Sequence, residues 1–267
     1  MDSLRTAHVS VSFLVALMVT FPPPVKAKEK SMSKPSIVLV HGAFADSSSW
    51  DGVVTKLRAQ GYPVIAAANP LRSVKGDAAY VASVLDSIEG PIVLVGHSYG
   101  GTVITNAVNG NANVKALVYV AGFAPDKGET AVYLSGKFPG GTLGPTLAPP
   151  VTLPDGGKDL YIQQDKFRAQ FAADVPAVQT TRMAAAQRPV TEAALNEASG
   201  DAAWKSVPSW FIYGELDNNI PAAAISYMAE RAGARKTVNV KGASHVVMVS
   251  HPDQVAKLIG EAAASAR

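Results

Sequence analysis

The chain contains no cysteine among its 267 residues. Disulfide bonds, a thiolate nucleophile and any metal or iron–sulfur site built from cysteine are therefore excluded. Charged residues are also few, at 17% of the chain, against roughly 25% in an average globular protein. Because 48% of the residues are hydrophobic, the composition is opposite to that of a disordered protein and can fill a sizeable core.

The chain also lacks a long apolar run and a concentration of basic charge. None of its apolar stretches approaches the roughly 20 residues that a membrane-spanning helix needs. Lys and Arg number 24 against 21 Asp and Glu, and they are scattered, which argues against a nucleic-acid partner. HExxH and phosphate-binding motifs are absent, and GHSYGG does not fit GxGxxG, so we expect no metal and no organic cofactor.

The N-terminal segment has the layout of an export signal. Residues 9–21, VSVSFLVALMVTF, form a short apolar run that three prolines follow. Val25 and Ala27 then place small residues at the −3 and −1 positions of a cleavage site. This pattern predicts a signal peptide over residues 1–27 and a periplasmic or secreted mature protein. The alternative is a start at Met32, which predicts a cytoplasmic protein.

From residue 36 onward, short β-branched runs alternate with amphipathic segments. Strands are predicted at residues 36–40, 63–67, 92–95, 116–121, 209–213 and 237–240. Helices are predicted at residues 49–59, 76–88, 100–108, 222–232 and 252–264. The continuous IVLV runs at 37–40 and 92–95 are typical of strands buried on both faces of a parallel sheet. We therefore predict an α/β fold with a mostly parallel central sheet flanked by helices.

The strand–helix alternation stops after the fourth predicted strand. Residues 138–157 contain five Pro and five Gly, which prevents a continuous strand or helix. The PDGG segment within them is predicted to close a small hairpin. Helical patterns follow at residues 165–173, 177–187 and 191–198. The predicted organisation is a core of residues 34–123 and 206–267 with a cap insertion, residues 124–205, over one edge of the sheet.

The segment Gly96-His97-Ser98-Tyr99-Gly100 directly follows a predicted buried strand and opens a predicted helix. In this context G-x-S-x-G indicates a nucleophile elbow, in which a sharp turn strains the serine backbone and directs its Oγ outward. The two glycines allow neighbouring backbone to approach closely. The motif predicts Ser98 as a nucleophile.

The loop after the first strand, VHGAF at residues 40–44, supports the same interpretation. In this architecture that loop provides one backbone N–H of an oxyanion hole, and the residue after the nucleophile provides the other. We assign the two N–H groups to Ala43 and Tyr99. The alternative is a plain strand-to-helix turn in which residues 47–49 cap the next helix. Both can hold, because the cap and the hole need different residues.

Position along the chain selects the base among five histidines. His245 follows the last predicted strand, in a loop that can fold over the elbow. His8 lies in the predicted export segment. His41, His97 and His251 are expected to have structural roles, at a strand end, beside the nucleophile and at the entry of a helix.

Three carboxylates compete to orient the base. Asp217 lies in the loop after a strand, four residues before a helix-opening proline. Glu215 is nearer the strand end and is expected to cap or pair, while Asp126 follows the preceding strand and is the main rival. The favoured order Ser98, Asp217, His245 is that of α/β-hydrolases and differs from the chymotrypsin and subtilisin orders.

These motifs resemble the α/β-hydrolase superfamily, and within it the group of plant methylesterases and hydroxynitrile lyases with their bacterial esterase relatives. The resemblance extends from about residue 34 to the C-terminus. It is carried by VHGAFADSSSW (40–50), GHSYGG (96–101), YVAGFAPD (119–126), YGELDNNIP (213–221) and GASHVVMVSHP (242–252). The family's lyases have Thr where this chain has Gly42, and Lys where it has Val246. These two departures disfavour lyase activity and leave ester hydrolysis.

The resemblance and the motifs together predict a serine hydrolase that cleaves carboxylic esters of small, largely apolar substrates through an acyl-enzyme. Phe44, Tyr99, Phe123 and Val246 are expected to border the substrate pocket, although each could instead only pack in the core. The alternatives are a cofactor-free lyase of the hydroxynitrile lyase type and a non-catalytic small-molecule receptor on the same fold. The expected partner is a small-molecule ester, and the sequence leaves the oligomeric state open.

Overall fold

A computed structural model describes residues 34–108 and 110–266. Residues 1–27 and Met32, on which the two predictions of cellular location depend, lie outside the described residues. The helices and strands below are numbered in chain order. None of the helices in the described part of the chain combines the length and the apolar character needed to cross a membrane.

Strands and helices alternate through the N-terminal half, as the sequence pattern predicted. The elements are β1 (Ser36–Val40), α1 (Asp51–Ala59), β2 (Val64–Ala67), α2 (Val74–Asp86), β3 (Ile92–His97), α3 (Tyr99–Ala107) and β4 (Val114–Val120). A 3₁₀ turn, Ser47–Trp50, precedes α1. Its N-cap is Asp46, which accepts the Ser48 N–H at 2.7 Å. The prediction that residues 47–49 provide the cap is therefore wrong, because the aspartate before them already pairs with the free N–H.

Short elements follow β4, and we call residues 124–205 the insertion. They are α4 (Ala131–Gly136), a 3₁₀ turn (Gly144–Thr146), β5 (Val151–Thr152), β6 (Lys158–Leu160), α5 (Gln164–Phe171), α6 (Ala177–Ala186), β7 (Val190–Thr191), α7 (Glu192–Asn196) and a 3₁₀ turn (Ala203–Lys205). Strands β5 and β6 pair antiparallel across the predicted PDGG turn, and β7 pairs with β6. The elements α4 and β7 were not predicted, because each is too short to show a hydrophobic period.

The C-terminal part returns to the central sheet. Its elements are β8 (Ser209–Gly214), α8 (Ala222–Arg231), β9 (Lys236–Val240), α9 (Val247–Ser250) and α10 (Pro252–Ser265). The six long strands are all parallel and lie in the order β2-β1-β3-β4-β8-β9. Helix α1 packs against α10, and α2 packs against α3. The predicted parallel sheet with flanking helices is confirmed.

The inner strands are buried along their length, which explains their continuous apolar runs. Every residue of β3 is buried, and β4 is buried except at Lys115. The edge strands β2 and β9 are partly exposed. Because all six strands run in one direction, the loops after β1, β3, β8 and β9 meet at the same edge of the sheet. The predicted nucleophile, acid and base and the two predicted oxyanion-hole residues lie in these loops or in the first turn that follows: Ser98, Asp217, His245, Ala43 and Tyr99.

Candidate active site

Ser98 joins β3 to α3 in a strained backbone conformation. Its φ is 52° and its ψ is −123°, a combination that a residue with a Cβ rarely adopts. Three hydrogen bonds hold it there. The Ser98 N–H donates to the Val120 carbonyl at 3.2 Å, and the Ser98 carbonyl accepts from Gly101 N–H at 2.9 Å and Phe123 N–H at 3.1 Å. The sequence prediction of a sharp strand-to-helix turn at Ser98 therefore matches the observed backbone.

Close backbone packing around this turn leaves no room for side chains at three glycines. A Cβ at Gly96 would lie 2.5 Å from the Gly100 carbonyl oxygen, and a Cβ at Gly100 would lie 2.5 Å from the Val40 carbonyl oxygen. At Gly42 a Cβ would lie 2.6 Å from the Cβ of Ser98. The loop after β1 can therefore approach Ser98 only because residue 42 has no side chain.

His245 and Asp217 form a buried pair at the ends of β9 and β8. The Nδ1 atom of His245 lies 2.7 Å from Oδ2 of Asp217, and their side chains are 1% and 0% exposed. The other carboxylate oxygen accepts the N–H groups of Asn219 at 2.8 Å and Ile220 at 2.9 Å. With the carboxylate so held, the His245 Nδ1 is the donor, and in the neutral ring Nε2 is then a free acceptor. Nε2 has no hydrogen-bond partner among the described residues.

Ser98 and His245 line the same cavity, together with Ala43 and Tyr99. The cavity measures about 80 Å³. Its other lining residues are mostly apolar: Phe44, Phe123, Ala131, Val132, Ser135, Leu143, Phe171, Leu195, Asn219 and Ile220. Within the described residues no hydrogen bond joins the side chains of Ser98 and His245. In sites without substrate such contacts are often long and shorten when substrate binds.

The two N–H groups assigned to an oxyanion hole are both unpaired. Among the described residues, neither the Ala43 N–H nor the Tyr99 N–H donates a hydrogen bond. Tyr99 is the first residue of α3, where free N–H groups carry the partial positive charge of the helix end. The next N–H after Ala43, that of Phe44, donates to the Arg188 carbonyl of the insertion at 3.0 Å. A developing negative charge in the cavity would therefore find two available donors.

The rival carboxylates lie away from the cavity. Asp126 pairs with Lys205 at 2.5 Å, and this hydrogen bond lowers the pKa of the Asp126 carboxyl. Glu215 accepts the Gly242 N–H at 3.0 Å. Both have the pairing or capping contacts of structural carboxylates, and only Asp217 contacts a histidine of the cavity.

The other histidines of the described chain do not line the cavity. His97 is fully buried, and burial together with the neighbouring His245 holds its pKa well below the usual value. The His41 Nδ1 lies 3.0 Å from the Gly42 carbonyl oxygen, and burial lowers the His41 pKa. His251 is the N-cap residue of α10. His8 lies outside the described residues.

The sequence predicts that Phe44, Phe123 and Val246 border the substrate pocket. Phe44 and Phe123 line the cavity, whereas Val246 does not. Val246 is fully buried in the core, because the chain turns into α9 directly after His245. The sequence also missed Phe171, whose ring centroid lies 6.1 Å from that of Phe44 and 5.1 Å from that of His245. Its helix, α5, was predicted, but nothing in the pattern shows that its apolar face meets the distant loop of His245.

A larger cleft adjoins the cavity and shares Phe44 as a wall. It measures about 370 Å³ and lies between the start of α1 and one face of α6. The α6 residues that face it are Gln179, Arg182, Met183 and Ala186. Among the described residues, no group of three His, Asp or Glu side chains is placed to hold a metal ion in either space.

Comparison with known proteins agrees with the fold and the motifs. The model of a family described as "Alpha/beta hydrolase family" matches residues 37–258. The alpha/beta hydrolase nvfD of Aspergillus novofumigatus is 25% identical over 88% of this chain and 99% of its own length. The alpha-hydroxynitrile lyase of Arabidopsis thaliana is 24% identical over 83% of this chain and 94% of its own. The crystal structure of polyneuridine aldehyde esterase superposes with a TM-score of 0.74 at 21% identity, covering 85% of this chain and 98% of that one.

Proposed function

The chain belongs to the alpha/beta hydrolase family, and on this basis we propose that it is a serine hydrolase that cleaves carboxylic esters of small, largely apolar substrates. Esterases are among the proteins it resembles. One observation carries the proposal. The buried His245–Asp217 pair, the strained Ser98 and the N–H groups of Ala43 and Tyr99 all meet at one small apolar cavity, and neither N–H has a partner within the described residues.

In the proposed first step, the free Nε2 of His245 takes the proton of the Ser98 hydroxyl. The Oγ atom then bonds to the ester carbonyl carbon, and the carbonyl electron pair moves onto oxygen. Asp217 holds the imidazole in the tautomer that accepts this proton, and its charge stabilises the imidazolium that forms. The buried 2.7 Å contact between the two side chains supports this role.

The N–H groups of Ala43 and Tyr99 would bind the negatively charged oxygen of the tetrahedral intermediate. In comparable sites each such donor contributes about 3 kcal/mol to catalysis. As the intermediate collapses, His245 returns its proton to the leaving alkoxide, and the C–O bond of the ester breaks. Water, deprotonated by His245, then attacks the acyl-enzyme, and the acid is released with Ser98 regenerated.

The size and lining of the cavity support a small apolar group at the carbonyl. At about 80 Å³, the space is well below the roughly 300 Å³ lower limit of typical drug-sized pockets. Aromatic rings of Phe44, Phe123 and Phe171 form part of its wall. Val132 of α4 lines the cavity and is 46% exposed, so we expect the larger half of an ester to extend toward α4.

We also propose that the insertion acts as a cap, because it supplies a large share of the cavity wall. Its contributions come from α4, α5, α7 and the residue before the 3₁₀ turn Gly144–Thr146: Ala131, Val132, Ser135, Leu143, Phe171 and Leu195.

Export after cleavage at Ala27 is a proposal from sequence alone. Sequencing of the N-terminus of the mature protein tests it, since a start at Met1 or Met32 would contradict cleavage.

The decisive experiment compares nitrophenyl esters of increasing acyl length on the wild-type enzyme and on Ser98→Ala. We expect hydrolysis of the short esters, and a loss on the order of 10⁶ in turnover when Ser98 is replaced. Ser135→Ala is the matched control, because Ser135 also lines the cavity but donates its hydroxyl to the Val132 carbonyl. Equal loss in both serine variants would count against Ser98 as the nucleophile.

The same experiment separates the alternatives. Release of cyanide from a mandelonitrile-type substrate without ester hydrolysis would indicate a lyase, which the absence of room for a side chain at Gly42 disfavours. A reactive fluorophosphonate should label the folded wild-type protein at Ser98. Failure to label, together with no ester hydrolysis, would favour a receptor.

A further inference from the structure

The side chain of Tyr99 is tied to a buried carboxylate on a neighbouring helix. Its hydroxyl donates to Oδ2 of Asp77 at 2.9 Å. Tyr99 is 1% exposed and Asp77 is fully buried. Tyr99 follows Ser98 directly, and its backbone N–H is one of the two donors in the proposed function. The Asp77–Tyr99 hydrogen bond therefore lies one residue from the reacting hydroxyl, although neither polar group belongs to the proposed chemistry.

Asp77 occupies an unusual position for a carboxylate. It lies in the first turn of α2, and each of its oxygens is 3.1 Å from the Arg72 N–H. No lysine or arginine side chain in the described chain forms an ion pair with it. Burial raises the pKa of the Asp77 carboxyl, and the hydrogen bonds from Arg72 and Tyr99 oppose that shift. A buried carboxylate without an ion-pair partner is costly, so the hydrogen bonds that it accepts from the Arg72 N–H and the Tyr99 hydroxyl are needed to hold it in place.

We propose that Asp77 is a positioning residue for the oxyanion hole, which rests on the ester hydrolase function proposed above. The peptide between Ser98 and Tyr99 carries the donor N–H, and the strained φ and ψ of Ser98 set its direction. Relaxation of that strain would rotate the peptide and turn the N–H away from the cavity. A hydrogen bond that fixes the far end of the Tyr99 ring to α2 resists this rotation.

Asp77 is linked to the insertion through Arg72. The backbone N–H of Arg72 donates to Asp77. The Arg72 guanidinium donates to the Asp159 carboxylate at 2.6 Å and to the Pro189 carbonyl at 2.8 Å. The Arg72 carbonyl accepts the Thr191 hydroxyl at 2.7 Å. A continuous set of contacts thus leads from the β6–β7 region of the insertion through Arg72 and Asp77 to Tyr99.

The test is Tyr99→Phe, which removes only the hydroxyl. We expect kcat for a short nitrophenyl ester to fall about tenfold, less than the loss of a whole oxyanion donor, with KM nearly unchanged. Tyr119→Phe is the matched control. Tyr119 is also fully buried, and its hydroxyl lies 2.9 Å from the Thr105 Oγ1, but it does not line the cavity. It should match Tyr99→Phe in lost thermal stability while keeping wild-type kcat.

Two variants of Asp77 separate positioning from packing. Asp77→Asn keeps an oxygen that can accept from Tyr99 and should retain most of the activity. Asp77→Leu removes the acceptor and should reproduce the kcat of Tyr99→Phe. A trifluoromethyl ketone, which adds to Ser98 as a tetrahedral adduct, should bind Tyr99→Phe about tenfold more weakly, whereas the carboxylic acid product should bind equally well.

The outcomes are distinct for this inference and for the proposed function. If wild-type hydrolysis depends on Ser98 but Tyr99→Phe behaves like Tyr119→Phe, the positioning role is wrong and the function stands. A rise in KM with unchanged kcat would also overturn the positioning role. If the wild-type protein hydrolyses no ester and binds no trifluoromethyl ketone, the function fails and this inference fails with it.

Discussion

The His97 Nε2 lies 3.3 Å from the main-chain carbonyl oxygen of His245, and the two ring centroids are 4.8 Å apart. Because a carbonyl oxygen only accepts hydrogen bonds, the proton of neutral His97 must be on Nε2. The residue before the candidate nucleophile therefore binds the loop that carries the candidate base. A second proton, on Nδ1, would be buried without a partner among the described residues, which favours the neutral ring.

The low pKa of His97 predicts that the protein loses stability in mild acid. Burial and the nearby His245 lower the pKa of His97 in the folded state, whereas a histidine in the unfolded chain has a pKa of about 6.5. Between these two values the unfolded chain binds more protons, so stability falls as the pH falls below about 6.5. The free energy of unfolding should change by up to about 1.4 kcal/mol per pH unit for each such group. The pKa of His41 is lowered as well, so His41 should contribute in the same direction.

Urea unfolding at about pH 7.5 and about pH 5.5 measures this loss. His97→Gln should reduce the difference between the two midpoints, although it lowers stability at the higher pH. His251→Gln is the control, since His251 is only partly buried, and it should leave the wild-type difference in place. Equal midpoints for the wild-type protein at both pH values would contradict the prediction.

Asp217→Asn should be far more damaging than Asp126→Asn. The amide can no longer hold the imidazole of His245 in the required tautomer, and a loss of about 10⁴ in kcat is expected. Asp126 contacts Lys205 and not the cavity, so its replacement should leave kcat within about twofold of wild type. Steady-state kinetics with a short nitrophenyl ester makes the comparison. A large loss in the Asp126 variant would mean that the wrong carboxylate has been assigned.

Gly42→Ala should disrupt the site, because the added methyl group would lie 2.6 Å from the Ser98 Cβ and 2.7 Å from the His97 carbonyl oxygen. We expect a loss of about 1–3 kcal/mol in stability from this overpacking. A loss of about a hundredfold in kcat is expected because the Ala43 donor is displaced.

Gly260→Ala is the matched control for the glycine experiment. Gly260 lies inside α10, and its added Cβ would be 3.5 Å from Gln60 Oε1, an ordinary contact. The substitution should stabilise the protein by up to about 1 kcal/mol, since alanine favours the helix. Thermal unfolding of both variants should therefore shift in opposite directions, and a parallel shift would show that the space at Gly42 has been misjudged.

Phe44 should control the acyl length that the enzyme accepts. It lines both the cavity of about 80 Å³ and the cleft of about 370 Å³. Phe44→Ala should join the two spaces and move the maximum of kcat/KM toward longer nitrophenyl esters. Met183→Ala is the control, because Met183 lines only the cleft, and it should leave the preference unchanged. Phe44→Leu, which costs less core packing, should show a smaller shift in the same direction.

The parts of the molecule that sequence could predict are those with a local physical signature. Strands β1 and β3 follow from apolar runs that are typical of a doubly buried strand, and the elbow follows from glycines flanking Ser98. Val246 shows where this reasoning ends. It adjoins a residue of the cavity along the chain, yet the start of α9 turns its side chain into the core.

Contacts between distant segments carry no such signature. The ring of Phe171 lies against Phe44 and His245, but its helix shows only that one face is apolar. Asp77 likewise looks like an ordinary first-turn acidic residue of α2. Its contact with Tyr99 depends on how α2 and α3 pack, and that information is spread over the whole sheet.

The hydrogen bond from the Phe44 N–H to the Arg188 carbonyl has a consequence for engineering. Residues 124–205 cannot be exchanged as an independent module. A segment grafted from a homologous enzyme would replace Arg188, whose carbonyl accepts the N–H of the peptide that joins Ala43 to Phe44. A chimera made to broaden selectivity should lose rate as well, unless the position equivalent to 188 presents its carbonyl in the same place.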